Sequence, residues 1–267
     1  MALFRLSAVC ASIALGALLA GCGTTPKDAT ADWSPNRLYQ EAMDEKNAGN
    51  LAQAITYFDK LENRAAGTPL AQQAQLEKAH AHYRAGETAQ AEAALERFMR
   101  LHPASPALDY ALYLKGLVNF NDNLGILGWL SRQDLSERDQ KAAKLSFEAF
   151  KELVNRFPNS RYASDAQQRM TYIVNSLAQS EVNVARYYFQ RKAYVAAVAR
   201  AQQAITLYPT APAQEEALGI LVHACDALGM TDLRDDSRRV LMRNYPQTRY
   251  ARAEALLAGD KPWWRVW

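Results

Sequence analysis

The stretches "NAGNLAQAITYF" (47–58) and "RAGETAQAEAAL" (84–95) decide the fold, because they superpose at an offset of 37 residues. Gly49 falls on Gly86, Ala54 on Ala91 and Phe58 on Leu95, and upstream Ala42 falls on Ala79. In each copy a glycine separates two runs whose apolar residues recur every three or four positions, the period of a helix face. Leu51, Ala54, Ile55, Phe58 and Leu61 make one such stripe, and Met170, Ile173, Val174, Leu177, Val184, Ala185 and Tyr188 another. No segment alternates with the period of a strand, so the chain reads as all-α, built of helix–turn–helix repeats.

Later copies are marked at their ends, where an aromatic residue or histidine precedes proline: Pro103, Pro158, Pro209 and Pro246. Proline lacks an N–H and suits a first helical turn, so each is expected to end one helix and open the next. The last two lie 37 residues apart, whereas the earlier intervals of 55 and 51 leave surpluses of 18 and 14, which gives five repeats with two insertions. Between Asn159 and Tyr208 there is neither glycine nor proline, which places the turn of the fourth repeat near Gln190 to Lys192 without its glycine. Period, turn glycine, alanine five residues later and exit proline are similar to the tetratricopeptide repeat, lengthened by a few residues. The expected architecture is a tetratricopeptide-repeat α-solenoid. Residues 34–120 hold repeats 1, 2 and the first helix of 3, residues 121–139 an insertion, 140–250 the rest of repeat 3 with repeats 4 and 5, and 251–267 a tail.

The beginning of the chain reads differently. Leu6 to Ala20 is an oily run of fifteen residues behind Arg5, short of the about 20 that a membrane span needs. A positive residue, an apolar run and a small-residue exit make residues 1–21 a cleaved signal peptide. "LAGC" (19–22) resembles the lipobox of bacterial lipoproteins. That resemblance implies S-diacylglycerol and N-acyl groups on Cys22, the new first residue, and several acyl chains anchor durably where one does not. The remaining reading is an unmodified Cys22 after an ordinary signal. The absence of aspartate at Gly23 implies, within that class, sorting to the outer membrane, facing the periplasm. Residues 22–33 form the lipidated N-terminus and linker, of which the polar part from Gly23 to Asp32 would reach at most about 35 Å when extended.

Without residues 1–21 the chain has 246 residues carrying 30 Lys+Arg and 28 Asp+Glu, a balance that implies no nucleic-acid partner. Cys10 leaves with the signal, Cys22 is lipidated and Cys225 stands alone, so no intramolecular disulfide forms; the apolar setting of Cys225 suits an inert core thiol. His80 and His82 are two apart and point to different sides of a helix, so they make no local metal pair. The zinc-hydrolase, paired-cysteine, nucleophile-elbow and phosphate-loop patterns are all missing, and the carboxylates are scattered among lysines and arginines, which suits solubility. Neither catalysis, metal nor cofactor is expected beyond the lipid.

What the pattern offers is a surface. In tetratricopeptide arrays the first helix of each repeat lines the groove, and the offset of 37 projects Tyr39 and Met43, then His80, Tyr83 and Arg84, then Tyr110 and Tyr113 onto it. Rings with polar tips can grip an extended or hairpin peptide. Core packing claims Tyr110 and Tyr113 equally well. All five tryptophans fall outside the repeats: Trp33 in the linker, Trp129 in the insertion "NDNLGILGWLSRQDLSERD", and Trp263, Trp264 and Trp267 in "KPWWRVW". Trp129 and the tail tryptophans are candidates for contact with a partner or the membrane boundary, the other reading being a tail that folds back to cap the last helix.

With the lipobox, five repeats and a long third-repeat insertion, the stretches "LENRAAGTPLAQQAQLE", "ERFMRLHPASPALDYALYLKGL", "FPNSRYASDAQQRM" and "VARYYFQRKAYVAAVARAQQAITLYP" resemble the BamD (ComL) family of Gram-negative outer-membrane assembly lipoproteins, from Cys22 to about residue 250. The resemblance implies a non-enzymatic subunit of the β-barrel assembly machinery (BAM complex). Its N-terminal repeats would receive unfolded outer-membrane proteins and its C-terminal repeats would hold BamA, with BamC-like and other BAM lipoproteins as further partners. It also implies that Arg200 faces BamA as an ion-pair donor, the alternative being a solvated helix arginine. The tryptophan-rich ending is no part of the family pattern. Two other readings are a periplasmic lipoprotein that scaffolds peptidoglycan enzymes or DNA uptake, and a cell-wall hydrolase with a helical body.

Overall fold

The computed structural model describes residues 28–120 and 137–257, with side chains from 140 onward in the second segment. Cys22, Trp129, Trp263, Trp264 and Trp267 lie outside the described residues, as does most of the insertion. The described chain is helical throughout, in consecutive antiparallel pairs: α1 (Pro35–Ala48) with α2 (Leu51–Arg64), α3 (Pro69–Arg84) with α4 (Thr88–Leu101), α5 (Leu108–Val118) with α6 (Glu137–Arg156), α7 (Ala163–Gln190) with α8 (Tyr194–Leu207), and α9 (Gln214–Ala227) with α10 (Thr231–Asn244). A 3-10 turn (Arg249–Ala251) and the one-turn α11 (Glu254–Leu257) follow. This is the all-α, tetratricopeptide-type repeat fold expected from the periodicity. The chain divides into two compact bodies, to Ala74 and from Gln75.

The turns inside repeats 1, 2 and 5 are the same device. Gly49, Gly86 and Gly229 have φ of 88°, 74° and 70°, the left-handed region where a side chain costs energy. At each, the N–H of the next residue reaches back to a carbonyl five residues earlier: Asn50 to Glu45, Glu87 to His82 and Met230 to Cys225, each at 2.9 Å. That bond closes the helix in a Schellman motif. In the fourth repeat Lys192 takes the left-handed conformation itself, φ 61°, and Ala193 N–H donates to Tyr188 O at 2.9 Å. Lys192 stands 37 residues before Gly229, so the repeat keeps its backbone where it lost its glycine.

The prolines correct one expectation. His102, Phe157, Tyr208 and Tyr245 end their helices, their N–H groups donating to Phe98, Leu153, Ala204 and Leu241. Pro103, Pro158 and Pro209 then begin a turn, and the next helices start only at Leu108, Ala163 and Gln214. These prolines stop helices without starting them, because a turn is needed to reverse the chain; among the described residues only Pro35 and Pro69 occupy a first helical turn. The two length surpluses also find their places. Eighteen residues separate Val118 from Glu137, so the last three residues assigned to the insertion, 137–139, are already helical. The surplus of fourteen is absorbed in α7, which runs 28 residues where α9 has 14.

In the N-terminal body α1 and α2 pack through Leu38, Ala42, Ala54, Phe58 and Leu61, all fully excluded from solvent. Paired alanines let the helices approach and Phe58 fills the space beyond them. The segment before α1 is pinned to α2: Lys60 Nζ donates to Asp28 Oδ1 at 2.5 Å, and Arg64 donates to the carbonyls of Thr30 (2.8 Å) and Trp33 (2.6 Å). The Lys60 hydrogen bond and those of Thr30 hold the Asp28 carboxyl down at about 2.

In the C-terminal body four apolar clusters of described residues run from Leu76 in α3 to Leu256 in α11. Helices α5 and α6 cross at Gly116, where Phe150 lies so close that no Cβ fits, and Ser146 Oγ donates to Gly116 O at 2.8 Å. Gln214, at the start of α9, donates to the carbonyls of Ala204, Ile205 and Tyr208 at the end of α8, which ties repeats 4 and 5 together.

Candidate polypeptide-binding surfaces

The projected groove residues sort by how much of each side chain the packing uses. In the N-terminal body Tyr39 is half-buried, its ring edge-on to Phe58 at 6.3 Å and its hydroxyl accepting from Gln73 Nε2 at 2.6 Å. Met43 is half-buried against the same cluster. Trp33 is packed as well, tilted on Tyr57 at 5.5 Å with the Arg37 guanidinium 4.4 Å over its ring. In the C-terminal body His80 is half-buried one turn before Tyr83, ring centroids 6.3 Å apart, and Tyr83 and Arg84 are exposed at the end of α3. The spacing therefore does bring Tyr39 with Met43, and His80 with Tyr83 and Arg84, within their separate bodies.

Tyr110 and Tyr113 belong to packing between repeats 3 and 4. Tyr113 stacks on Tyr162 at 4.7 Å and 18°, its hydroxyl donating to Asp165 Oδ2 at 2.7 Å, while Tyr110 is tilted against Tyr162 with ring centroids 5.6 Å apart. Arg161 lies over Tyr162 at 4.7 Å, and Ser160 Oγ donates to Asp109 at 2.7 Å. Burial, helped by the nearby charge of Glu77, pushes the Tyr110 hydroxyl up to about 12. Burial and donation to Asp165 raise Tyr113 too. Burial alone would raise Asp165, but Arg169 and Tyr113 hold it below its ordinary value.

Arg200 is partly exposed and paired: its Nη1 donates to Glu181 Oε2 at 3.0 Å, from a side chain 43% exposed to a carboxylate 9% exposed. Gln203 also reaches Glu181. A second buried carboxylate, Glu216, takes two hydrogen bonds from Arg186 and one from Tyr250 Oη at 3.0 Å. Sequence reasoning missed Glu181 and Glu216. The available signal was a glutamate inside an apolar stripe, four residues after Leu177 in one case and beside Ala217 in the other.

An open cavity of about 460 Å³ between α4, α5 and α6 is lined by Met99, Leu112, Leu145 and charged residues of both signs such as Lys115 and Glu148. None of the projected groove residues lines it. Cys225 is fully buried, its thiol raised by burial, as suits a core residue. Among the described residues no group of histidine, cysteine and carboxylates could hold a metal ion, and no helix is long and apolar enough to cross a membrane.

A family model described as "Outer membrane lipoprotein" (YfiO) matches residues 31–240. The outer membrane protein assembly factor BamD of Neisseria meningitidis serogroup A is 46% identical over 261 residues, 96% of this chain and 97% of that one. The protein of the same name from Xylella fastidiosa (strain Temecula1) is 37% identical over 86% of this chain and 78% of its own, and that of Vibrio cholerae 34% identical over 85% and 94%.

Proposed function

Because the chain belongs to the BamD family of outer membrane protein assembly factors, and so to the BAM complex of the outer membrane, we propose that it acts there as a non-enzymatic adaptor that binds BamA and unfolded β-barrel proteins. Lipid on Cys22 holds it to the periplasmic side of that membrane. The observation that carries the reading is a match at 46% identity over almost the whole of both chains, on a helix-pair fold that offers polypeptides side chains with ring faces and polar tips.

Polypeptide capture falls to the first-helix residues that packing leaves available in part: Tyr39 and Met43 in the N-terminal body, His80, Tyr83 and Arg84 in the C-terminal one. Met43 supplies apolar area alone and the other four supply apolar area with a polar tip, which favours reversible grip over tight binding. Confinement by the lipid raises the effective concentration of captured chains beside the site of insertion, which needs no bond chemistry. Arg200 contributes to the BamA contact by presenting the exposed part of a guanidinium that Glu181 already orients. BamC-like and other lipoproteins of the complex complete the set of partners, and nucleic acid has no part in it.

Extraction in mild detergent followed by capture of the tagged protein tests the reading. BamA is expected in the eluate, along with accessory lipoproteins. Peptidoglycan enzymes in its place would establish a cell-wall scaffold instead.

A further inference from the structure

After α10 the chain does not leave the body but turns back across α9 to α7, the first helices of repeats 5 and 4. Thr248 Oγ1 accepts from Tyr250 N–H and shapes the turn. The base of the Tyr250 side chain then lies directly on Gly219, whose missing side chain makes the slot: a Cβ there would stand 2.5 Å from Tyr250 Cβ and 3.3 Å from its Cγ. On the same face of α9, one turn to either side, Glu216 accepts from Tyr250 Oη (3.0 Å) and His223 Nε2 meets Tyr250 O (3.0 Å). A carbonyl only accepts, so that nitrogen carries the proton. Six residues on, Leu256 is fully buried in the cluster of repeats 4 and 5, and its carbonyl accepts from Gln190 Nε2 at 3.0 Å. Between these anchors Ala251, Arg252 and Glu254 are exposed.

We propose that the first-helix face of repeats 4 and 5 is a second peptide-binding site, filled in cis by residues 249–257 and open in trans to an unfolded segment that carries a tyrosine and, six residues later, a leucine. Two donors, His223 and Gln190, read main-chain carbonyls and are indifferent to sequence. The slot over Gly219, with Glu216 at its end, and the Leu256 hole read side chains. That division of labour is how peptide sites combine affinity with selectivity. The occupant is suited to exchange. It is held by two anchors with exposed chain between them, and its helix is a single turn that cannot sustain itself alone. When it leaves, Glu216 keeps the hydrogen bonds from Arg186, so the emptied site retains a compensated carboxylate. A covalently tethered occupant enjoys a high effective concentration, so peptides bind in trans only when the tethered segment is weakened or an outside segment is itself concentrated. The proposal does not depend on which partners the rest of the molecule has.

The test uses the full mature chain and a fluorescent synthetic peptide of sequence TRYARAEALL, residues 248–257. The double variant Tyr250→Ala/Leu256→Ala frees the site and is expected to bind the peptide at least tenfold more tightly than the wild-type chain does. Replacing the tyrosine of the peptide with alanine is expected to cost a further tenfold or more. Gly219→Ala fills the slot while leaving α9 helical, and is expected to release residues 249–257 without gaining peptide binding. If the double variant fails to fold, the wild-type chain decides: saturating peptide is expected to displace the cis segment and speed tryptic cleavage at Arg252 severalfold. Equal affinity of wild type and a folded double variant, no binding by a folded double variant, tight binding by Gly219→Ala, or a cleavage rate unmoved by saturating peptide would each overturn the proposal.

Discussion

Gly116→Ala is a one-methyl test of how closely the two helices of repeat 3 approach. The added carbon would stand 2.3, 2.5 and 2.7 Å from Cε1, Cδ1 and Cζ of Phe150, where carbon atoms normally rest about 3.5–4.0 Å apart. The ring cannot turn aside, because it is fully excluded from solvent and bounded by Tyr113 at 6.0 Å and Phe120 at 6.2 Å. The helices must therefore part by about 1 Å, an overpacking cost of about 1–3 kcal/mol. Parting also stretches the bond from fully buried Ser146 to Gly116 O, worth about 1 kcal/mol. Alanine in place of glycine inside a helix returns about 1 kcal/mol, so the net loss is about 1–3 kcal/mol. Urea unfolding followed by circular dichroism measures it, and a cycle with Phe150→Leu isolates the clash. Leucine removes the offending ring edge, so Gly116→Ala on that background should be neutral or stabilising and the coupling about 1 kcal/mol or more. A Gly116→Ala protein as stable as wild type, with coupling under about 0.5 kcal/mol, would refute the close approach.

Three other outcomes follow from particular residues. Lys192→Gly, at φ 61°, should raise stability by about 0.5–1 kcal/mol in the same urea assay, because relief of the left-handed strain outweighs the extra freedom of unfolded glycine, whereas Gly229→Ala should lower it. Tyr110, raised to about 12 from an ordinary value near 10, contributes stability that is complete below the unfolded value and lost as pH climbs through the folded one; unfolding midpoints should fall between about pH 10 and 12, and less steeply in Tyr110→Phe. Arg200→Glu should abolish co-purification of BamA while far-ultraviolet circular dichroism keeps its helical signal, since the substitution sets two carboxylates together and reverses the exposed charge.

Local chemistry and spacing in the sequence carry most of this fold. Gly49 and Gly86 at an interval of 37, with Ala54 and Ala91 behind them, are enough to define the helix pair, because a left-handed turn and a close helix approach each demand a residue type. Lys192 was locatable by interval alone, and its strained backbone shows that the packing of flanking helices outweighs the preference of one residue. Partner choice between distant residues is what spacing does not encode. Tyr110 and Tyr113 sit at groove-like positions, yet Tyr162, about fifty residues away, claims their rings. Glu181 and Glu216 look like surface charges until Arg200, Arg186 and Tyr250 arrive from other helices. Return of the chain onto Gly219 is invisible for the same reason: the slot is an absence on α9, and its filler lies thirty residues downstream.

The account stands most directly on depletion of the protein in cells, with assembled β-barrels in the outer membrane measured by their resistance to unfolding in cold detergent. Folded barrel levels are predicted to fall as the protein disappears, with unfolded precursors accumulating in the periplasm. Undiminished folded barrels after depletion would contradict the claim that this repeat protein serves their assembly.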